Sequence, residues 1–322
     1  MLAKNLIRLV IAVSAVSGVT VRALASPQPQ GCWSDACGAA ATTYSTLVSP
    51  LHVTSDAFNH VFVYDGVHRI VRCDSQGRCD LSWLLNPRLP QVEVETAGLV
   101  VVPDGRLFLA DLAYGYIRYY GPAGDSLGYY RLENSVVRPS GLALDRNNDL
   151  VVCDNASNQV LRYTTSGVLI QQWAVSGMSS ANALFGVTVD DSNNVYVVDY
   201  PESKILKFTL SGMFVKSWGG VGSGLGQFGK LGQIVADHAG HIFASDLSND
   251  RILSFDVNGN YLEEWGAPGS AEGQYNYPFG MTVDGLDNLY VADFHNDRVC
   301  KYGPGPVASK RGTWGTLKLR YR

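Results

Sequence analysis

Six aspartates recur about every 45 residues and are the most regular set of ionisable side chains in the 322-residue sequence. Each ends a short apolar run, and the six are Asp65, Asp111, Asp154, Asp199, Asp246 and Asp293. Two roles are open for them. They could form a ring of carboxylates that binds cations, or each could accept hydrogen bonds from backbone N–H groups of the following loop. Because one binding site does not require six copies, we favour the structural role.

The segments around each aspartate also repeat and define the unit that positions it. Thirteen residues before the aspartate, four units carry a glycine that opens a strand-like stretch, namely Gly98, Gly141, Gly186 and Gly280. After the aspartate come a second apolar run, a glycine turn and then an aromatic residue. These aromatic residues are Trp83, Tyr130, Trp173, Trp218 and Trp265, and the sixth unit reaches its tryptophan at Trp314. Four short runs separated by turn residues indicate four antiparallel strands in each unit.

Six copies of such a unit predict an all-β fold. A period of this length is typical of propeller blades, and no segment beyond the N-terminus keeps a helical period. Stacking six sheets around an axis covers both faces of each sheet, and closing the ring removes most exposed edges. We therefore predict a six-bladed β-propeller of four-stranded antiparallel blades over residues 46–316.

The repeat resembles a known family. Its pattern is Pro-x-Gly-aliphatic-x-aliphatic-Asp, followed by aliphatic-Tyr-Val-x-Asp-x-x-Asn-x-Arg-Ile/Val. The best copies are Pro278 to Asp284 with Leu289 to Val299, and Asp246 to Ile252. This pattern resembles the NHL repeat, and the resemblance extends roughly from Pro50 to Trp314. It implies a six-bladed propeller that serves as a binding platform, a sensor domain or, in a few members, an enzyme.

Function is expected where the repeat is broken. His52 in the first unit and Gln233 in the fifth replace the glycine that opens the innermost strand, so we expect both at the mouth of the central channel. The loops after the aspartates open on the same face and carry His68 and His295. Since the first and sixth units become neighbours in a closed ring, the three histidines could hold a zinc ion with one open position. The alternative is that His68 and His295 point into solvent while His52 fills the mouth.

The resemblance offers two enzymatic counterparts. Secreted enzymes that split peptidyl-hydroxyglycine to give amidated peptides are similar propellers, with zinc held by channel histidines. Lactonase-type propellers hold a divalent metal through Glu, Asn and Asp, and this chain has such residues at Asn155, Asp199, Glu202, Asp246 and Asn249. The alternative function is therefore a metal-dependent lyase or hydrolase at the channel mouth, with zinc or calcium as its cofactor.

The main functional prediction is a secreted, non-catalytic platform that binds a protein, a peptide or a glycan. The sequence contains no G-x-S-x-G, Walker, C-x-x-C or Rossmann glycine pattern. We expect the contact surface on the face of the loops after the aspartates, because aromatic and arginine side chains are frequent interface anchors. The predicted ligand-binding residues are His52, Gln233, Tyr114, Tyr116, Tyr200, Arg251, His295 and Arg298.

Residues 1–25 are predicted to be a signal peptide. Lys4 and Arg8 precede an apolar stretch, and Ala23, Leu24 and Ala25 form a small-residue cleavage motif. The stretch is short for a bilayer, so no membrane span is expected after cleavage. Residues 26–45 are then expected to be a flexible lead-in, and residues 317–322 a basic tail.

Cleavage removes three of the 25 basic residues and none of the 29 acidic ones, which leaves a net charge of −7. NHL propellers that bind RNA use a strongly basic face, and most such affinity comes from phosphate neutralisation. We therefore expect no nucleic-acid partner. The predicted location is extracellular, or periplasmic in a Gram-negative bacterium.

All six cysteines lie beyond the predicted cleavage site, in a chain directed to an oxidising compartment. The two predicted disulfides are Cys73–Cys79, across a hairpin turn, and Cys32–Cys37, in the lead-in. Cys153 and Cys300 fall in strands on opposite sides of the ring. We expect both to be buried apolar side chains rather than reactive thiols.

Overall fold

A computed structural model describes residues 28–33, 47–85, 96–132, 138–175, 178, 180 and 183–303. This part of the chain forms six four-stranded antiparallel sheets. Its only helix is a single 3-10 turn at Phe294–Asn296. The chain is thus the all-β, six-bladed propeller that the repeat predicts. Among the described residues, no helix has the length and apolar character needed to cross a membrane.

The chain fills the first three complete blades from the innermost to the outermost strand. An earlier strand, β1 (Gln28–Trp33), belongs to the last blade. Blade 1 contains β2 (His52–Ser55), β3 (Val61–Asp65), β4 (Arg69–Cys73) and β5 (Cys79–Leu84). Blade 2 contains β6 (Thr96–Val101), β7 (Leu107–Asp111), β8 (Tyr116–Tyr120) and β9 (Ser126–Arg131). Blade 3 contains β10 (Pro139–Leu144), β11 (Leu150–Asp154), β12 (Gln159–Tyr163) and β13 (Leu169–Ala174).

The remaining blades follow the same plan, except for the last outer strand. Blade 4 contains β14 (Leu184–Val189), β15 (Asn194–Asp199), β16 (Lys204–Thr209) and β17 (Phe214–Gly219). Blade 5 contains β18 (Leu231–Ala236), β19 (His241–Asp246), β20 (Arg251–Asp256) and β21 (Tyr261–Trp265). Blade 6 contains β22 (Pro278–Val283), β23 (Leu289–Asp293), β24 (Arg298–Gly303) and β1.

Strand β1 closes the ring, which corrects three predictions. It pairs antiparallel with β24, and Cys32 lies opposite Cys300 and forms a disulfide with it. The predicted Cys32–Cys37 bond is therefore wrong, and Cys300 is not a free buried side chain. Residues 28–33 are a strand rather than part of a flexible lead-in. Cys37, the rest of the lead-in, the signal segment 1–25 and the tail 317–322 lie outside the described residues.

The outer-strand aromatic of blade 6 is Trp33, at the position for which the sequence predicted Trp314. In five of the blade pairs this aromatic ring packs against the turn glycine of the next blade. A Cβ at Gly77 would lie 2.5 Å from Trp33, and one at Gly124 would lie 2.6 Å from Trp83. Both glycines also have positive φ, which disfavours a side chain. Trp314 lies outside the described residues.

The six repeated aspartates are buried and accept hydrogen bonds inside their blades. Some bonds come from the following loop, as from Ala156 N–H to Asp154 at 3.0 Å. Others come from the segment before the innermost strand, as from Asn276 N–H to Asp293 at 2.7 Å. Four of the aspartates therefore fasten the entry of their blade to the loop that follows the second strand, because buried carboxylates require such donors. These four are Asp65, Asp154, Asp246 and Asp293.

Cations on the third strands connect neighbouring blades. Arg72 donates to the carbonyl of Pro122, and Lys207 donates to the carbonyl of Val257 at 2.8 Å. Lys301 donates to the carbonyl of Ser75 at 3.1 Å and so joins blade 6 to blade 1. Blade 1 also contains the predicted Cys73–Cys79 disulfide, which is confirmed. Cys153 is a buried free thiol, as predicted.

Candidate functional site

The candidate site lies at one end of the central channel, where the innermost strands begin. At the equivalent position of four of these strands there is a glycine. A Cβ at Gly98, Gly141 or Gly280 would lie 2.7, 2.8 or 2.3 Å from backbone atoms of the next blade. The innermost strands therefore touch at this end. Beyond it the channel contains a cavity of about 300 Å³, lined by the inner strands.

His52 and Gln233 occupy the glycine position in blades 1 and 5, as the sequence predicts, and they meet at the channel. Gln233 accepts a hydrogen bond from the backbone N–H of Met281 at 3.1 Å through its Oε1. Its amide nitrogen lies 3.0 Å from His52 Nδ1 and donates to it. In this network the neutral His52 ring carries its proton on Nε2. The pair bridges the entrance over blade 6, and both residues line the channel cavity.

A continuous cluster of rings covers this entrance on the face of the loops after the aspartates. We call it the aromatic arc, and its members are Phe185 and Tyr200 of blade 4, Tyr277, Phe279, Phe294 and His295 of blade 6, and His52, Tyr64 and His68 of blade 1. Phe279 lies at its centre, with ring centroids 5.7 Å from Phe185 and 5.4 Å from His52. Both contacts are edge-to-face, a favourable geometry for aromatic pairs.

Local backbone structure turns the central rings toward this face. Phe185 and Phe279 lie in irregular stretches of β14 and β22, where the register with the second strand shifts by one residue. Such bulges re-aim side chains. Tyr277 has a φ of 64°, which is uncommon for a bulky residue. Its N–H donates to Asp250 at 2.7 Å, and this bond holds the strained conformation.

Lys230 supplies a positive charge at the edge of the arc. Its ammonium nitrogen lies 4.7 Å from the centroid of the Tyr200 ring, within the range of a cation–π contact. The hydrogen bond with Tyr200 raises the pKa of Lys230, so the ammonium group stays protonated at neutral pH. Burial raises the pKa of Tyr277, which therefore keeps its neutral hydroxyl group.

The structure does not bring His52, His68 and His295 together as metal ligands, so the predicted arrangement is wrong. Within the described part of the chain, no group of three or more His, Cys, Asp or Glu side chains could hold a metal ion. Tyr64 lies between His52 and His68, and its hydroxyl bonds to His68 Nδ1 at 2.7 Å. His295 instead packs against Tyr277, at 5.4 Å between centroids.

The other predicted ligand-binding residues have different surroundings. Tyr200 and His295 belong to the arc. Tyr114 and Tyr116 stack with Tyr129 on blade 2 and form a separate exposed group. Arg251 is buried, and it is bonded to Asp246, Glu264 and the carbonyls of Gly224 and Gln227. Arg298 is likewise bonded to Asp293 and to the carbonyls of Ser270, Ala271 and Gln274. Both arginines therefore hold loops together.

The repeat pattern alone does not identify Phe185, Phe279, Tyr277 and Lys230 as site residues. The two phenylalanines could have been found as departures from the repeat, since each directly precedes the strand-opening glycine. At that position blade 3 has Ser140 and blade 5 has Gly232. The other two lie in connections between blades, where the repeat imposes no pattern.

The family model of the NHL repeat matches residues 137–163, which cover the first three strands of blade 3. With its six blades, the chain is an NHL-repeat β-propeller. No curated protein matches the chain significantly.

Several solved structures share the fold. Virginiamycin B lyase from Staphylococcus aureus is 19% identical with a TM-score of 0.57, over 79% of this chain and 80% of that chain. A gluconolactonase from Xanthomonas campestris is 16% identical with a TM-score of 0.61, over 88% and 99%. A protein of unknown function from Bacteroides thetaiotaomicron is 16% identical with a TM-score of 0.64, over 84% and 75%. At these identities the similarity shows the fold alone.

Proposed function

We propose that the protein is a non-catalytic binding platform whose aromatic arc receives a protein, peptide or glycan ligand. The observation that carries this proposal is the break in the sixfold repeat. Phe185 and Phe279 stand where the equivalent residues of blades 3 and 5 are Ser140 and Gly232. Because those blades pack without a ring at this position, ring closure does not require the two phenylalanines.

The exposure of the arc supports a binding role. Phe185, Tyr200, Tyr277 and Phe279 are only half-buried although they contact one another. Partly exposed aromatic side chains clustered around a channel entrance are frequent in binding sites. The strained backbone of Tyr277 also agrees with such a role, since strain of this kind concentrates at functional sites.

We further propose that the protein is exported. The Cys32–Cys300 and Cys73–Cys79 bonds fit an oxidising compartment. This agrees with the cleavage motif that precedes β1 by a few residues.

The test is a screen of purified protein on glycan and peptide arrays, followed by variants. We expect Tyr277→Ala to lose about tenfold or more of the affinity for any ligand found, as truncation of an aromatic interface anchor does. The control is Phe58→Ala, because Phe58 is 73% exposed on the opposite face. The ligand affinity of Tyr114→Ala shows whether the site extends to blade 2. Unchanged binding by the Tyr277 variant would refute the assignment of the arc.

The second candidate is a metal-dependent lyase or hydrolase. Two observations favour it: the fold is shared with a lyase and a gluconolactonase, and the buried His52 stands at the channel entrance. Elemental analysis distinguishes the candidates. A stoichiometric metal in the purified protein that is lost in His52→Ala would favour the enzyme, whereas equal metal content in both proteins would count against it.

A further inference from the structure

We propose that the aromatic arc binds a sugar ring that carries a carboxylate, as in the uronic acid residues of acidic glycans. This inference rests on the proposed binding role of the arc and adds the chemical class of its ligand. Two features of the arc carry it: a cation placed beside the rings and the polarity of the rings themselves.

The cation is Lys230. In the part of the chain that the structure describes, no acidic side chain forms a salt bridge with it. Its electrostatic neighbours are Tyr200 and Tyr277. The arginines near the same face differ from Lys230 because Arg251 and Arg298 form salt bridges with buried aspartates. Lys230 is thus a protonated amine at the edge of the arc that has an aromatic neighbour and no carboxylate counter-ion.

The position of Lys230 relative to Tyr277 follows from the repeat. Lys230 directly precedes β18, and Tyr277 directly precedes β22, so the two residues hold equivalent places in neighbouring blades. The charge of Lys230 acts on the Tyr277 hydroxyl, and it also lies over the Tyr200 ring. A ligand that reaches the Tyr277 ring therefore comes close to the ammonium group.

The rings favour a sugar over a peptide. Peptide anchors commonly fill deep apolar pockets or add a strand to a sheet edge. The arc instead offers half-buried rings, two of which are tyrosines with hydroxyl groups beside their apolar faces. A pyranose ring has an apolar C–H face for such a ring and hydroxyl groups for hydrogen bonds. A carboxylate on that ring would pair with Lys230 in a charge-assisted bond.

The experiment compares two probes by titration calorimetry: an oligogalacturonide and its methyl ester, which has the same backbone without charge. We expect the acid to bind about tenfold or more tightly than the ester, the effect of one charged hydrogen bond. Lys230→Met should reduce binding of the acid to the level of the ester. The control is Lys204→Met, since Lys204 is partly exposed at the start of β16 and lies 3.5 Å from Glu202.

The outcomes separate this inference from the proposed function. If the ester binds as tightly as the acid and Tyr277→Ala abolishes both, the arc is a binding site but the carboxylate class is wrong. If neither probe binds at millimolar concentration, the uronate class is refuted. The array screen then tests the proposed binding function independently. If benzoate binds with the same dependence on Lys230 while the oligogalacturonide does not, the ligand is an aryl carboxylate and the sugar is refuted.

Discussion

At the scale of single residues, the repeated aspartates depend on arginines. In four blades the buried carboxylate forms a salt bridge with an arginine at the start of the third strand or two residues beyond it. These pairs are Asp65–Arg69, Asp111–Arg118, Asp246–Arg251 and Asp293–Arg298. The structural role that the sequence favoured for the aspartates is therefore confirmed, and the arginines of the NHL pattern are part of it.

Loss of a buried partner should destabilise the blade. Arg251→Met leaves Asp246 buried without its arginine, and removing one partner of a buried pair costs about 3–5 kcal/mol. The control is Arg78→Met, because Arg78 is 81% exposed in its pair with Asp74. That change should cost about 0–1 kcal/mol. Urea unfolding gives both values, and equal small losses would contradict the structural role of Arg251.

At the scale of elements, the closing strand shows why part of the fold was hidden in the sequence. Residues 28–33 lie about 270 residues from their partner β24. Their sequence, Gln-Pro-Gln-Gly-Cys-Trp, has no strand alternation. Trp33 was the available signal, since the sixth unit lacks an aromatic at the usual distance after its turn. The strands inside the blades were predictable because each pairs with a neighbour in sequence.

The two disulfides should differ in their effect on stability. Cys32–Cys300 spans 268 residues and Cys73–Cys79 spans six. By loop-closure entropy the first contributes about 6 kcal/mol and the second about 2 kcal/mol. We expect Cys32→Ser to lower the midpoint of urea unfolding clearly more than Cys79→Ser does. A larger loss for Cys79→Ser would show that β1 does not close the ring through this bond.

At the scale of the whole molecule, the six blades touch closely at one end of the axis, and glycines permit this contact. Two of these glycines differ in the space around them. At Gly280 a Cβ would lie 2.3 Å from the carbonyl oxygen of Leu51 in the next blade, whereas at Gly186 the nearest atom is 3.4 Å away. Neither has the positive φ that would itself exclude alanine. The contact is therefore tightest where blade 6 meets blade 1.

This difference predicts a contrast between two similar substitutions. Gly280→Ala should destabilise the protein by about 1–3 kcal/mol, because backbone atoms must move apart. Gly186→Ala should change stability by less than about 0.5 kcal/mol, as a substitution without a clash does. Thermal unfolding of both variants checks the contrast. Equal effects would mean that neighbouring blades are equally close at Gly280 and at Gly186, which would contradict this prediction.

The sixfold repeat also explains which site residues could be predicted. His52 and Gln233 replace a repeated glycine, so the sequence identified them and placed them at the channel. Sequence position did not determine where loop side chains point, and the histidine arrangement failed for that reason. Tyr64 separates His52 from His68 although both histidines lie in blade 1.

The bond between Cys32 and Cys300 makes almost the whole propeller a covalent macrocycle. A protease that cuts one loop between these residues would open the circle without releasing a fragment, since both new ends stay tethered through sulfur. Two cuts are needed before a piece can leave. In surroundings rich in proteases, a nicked molecule would remain one body.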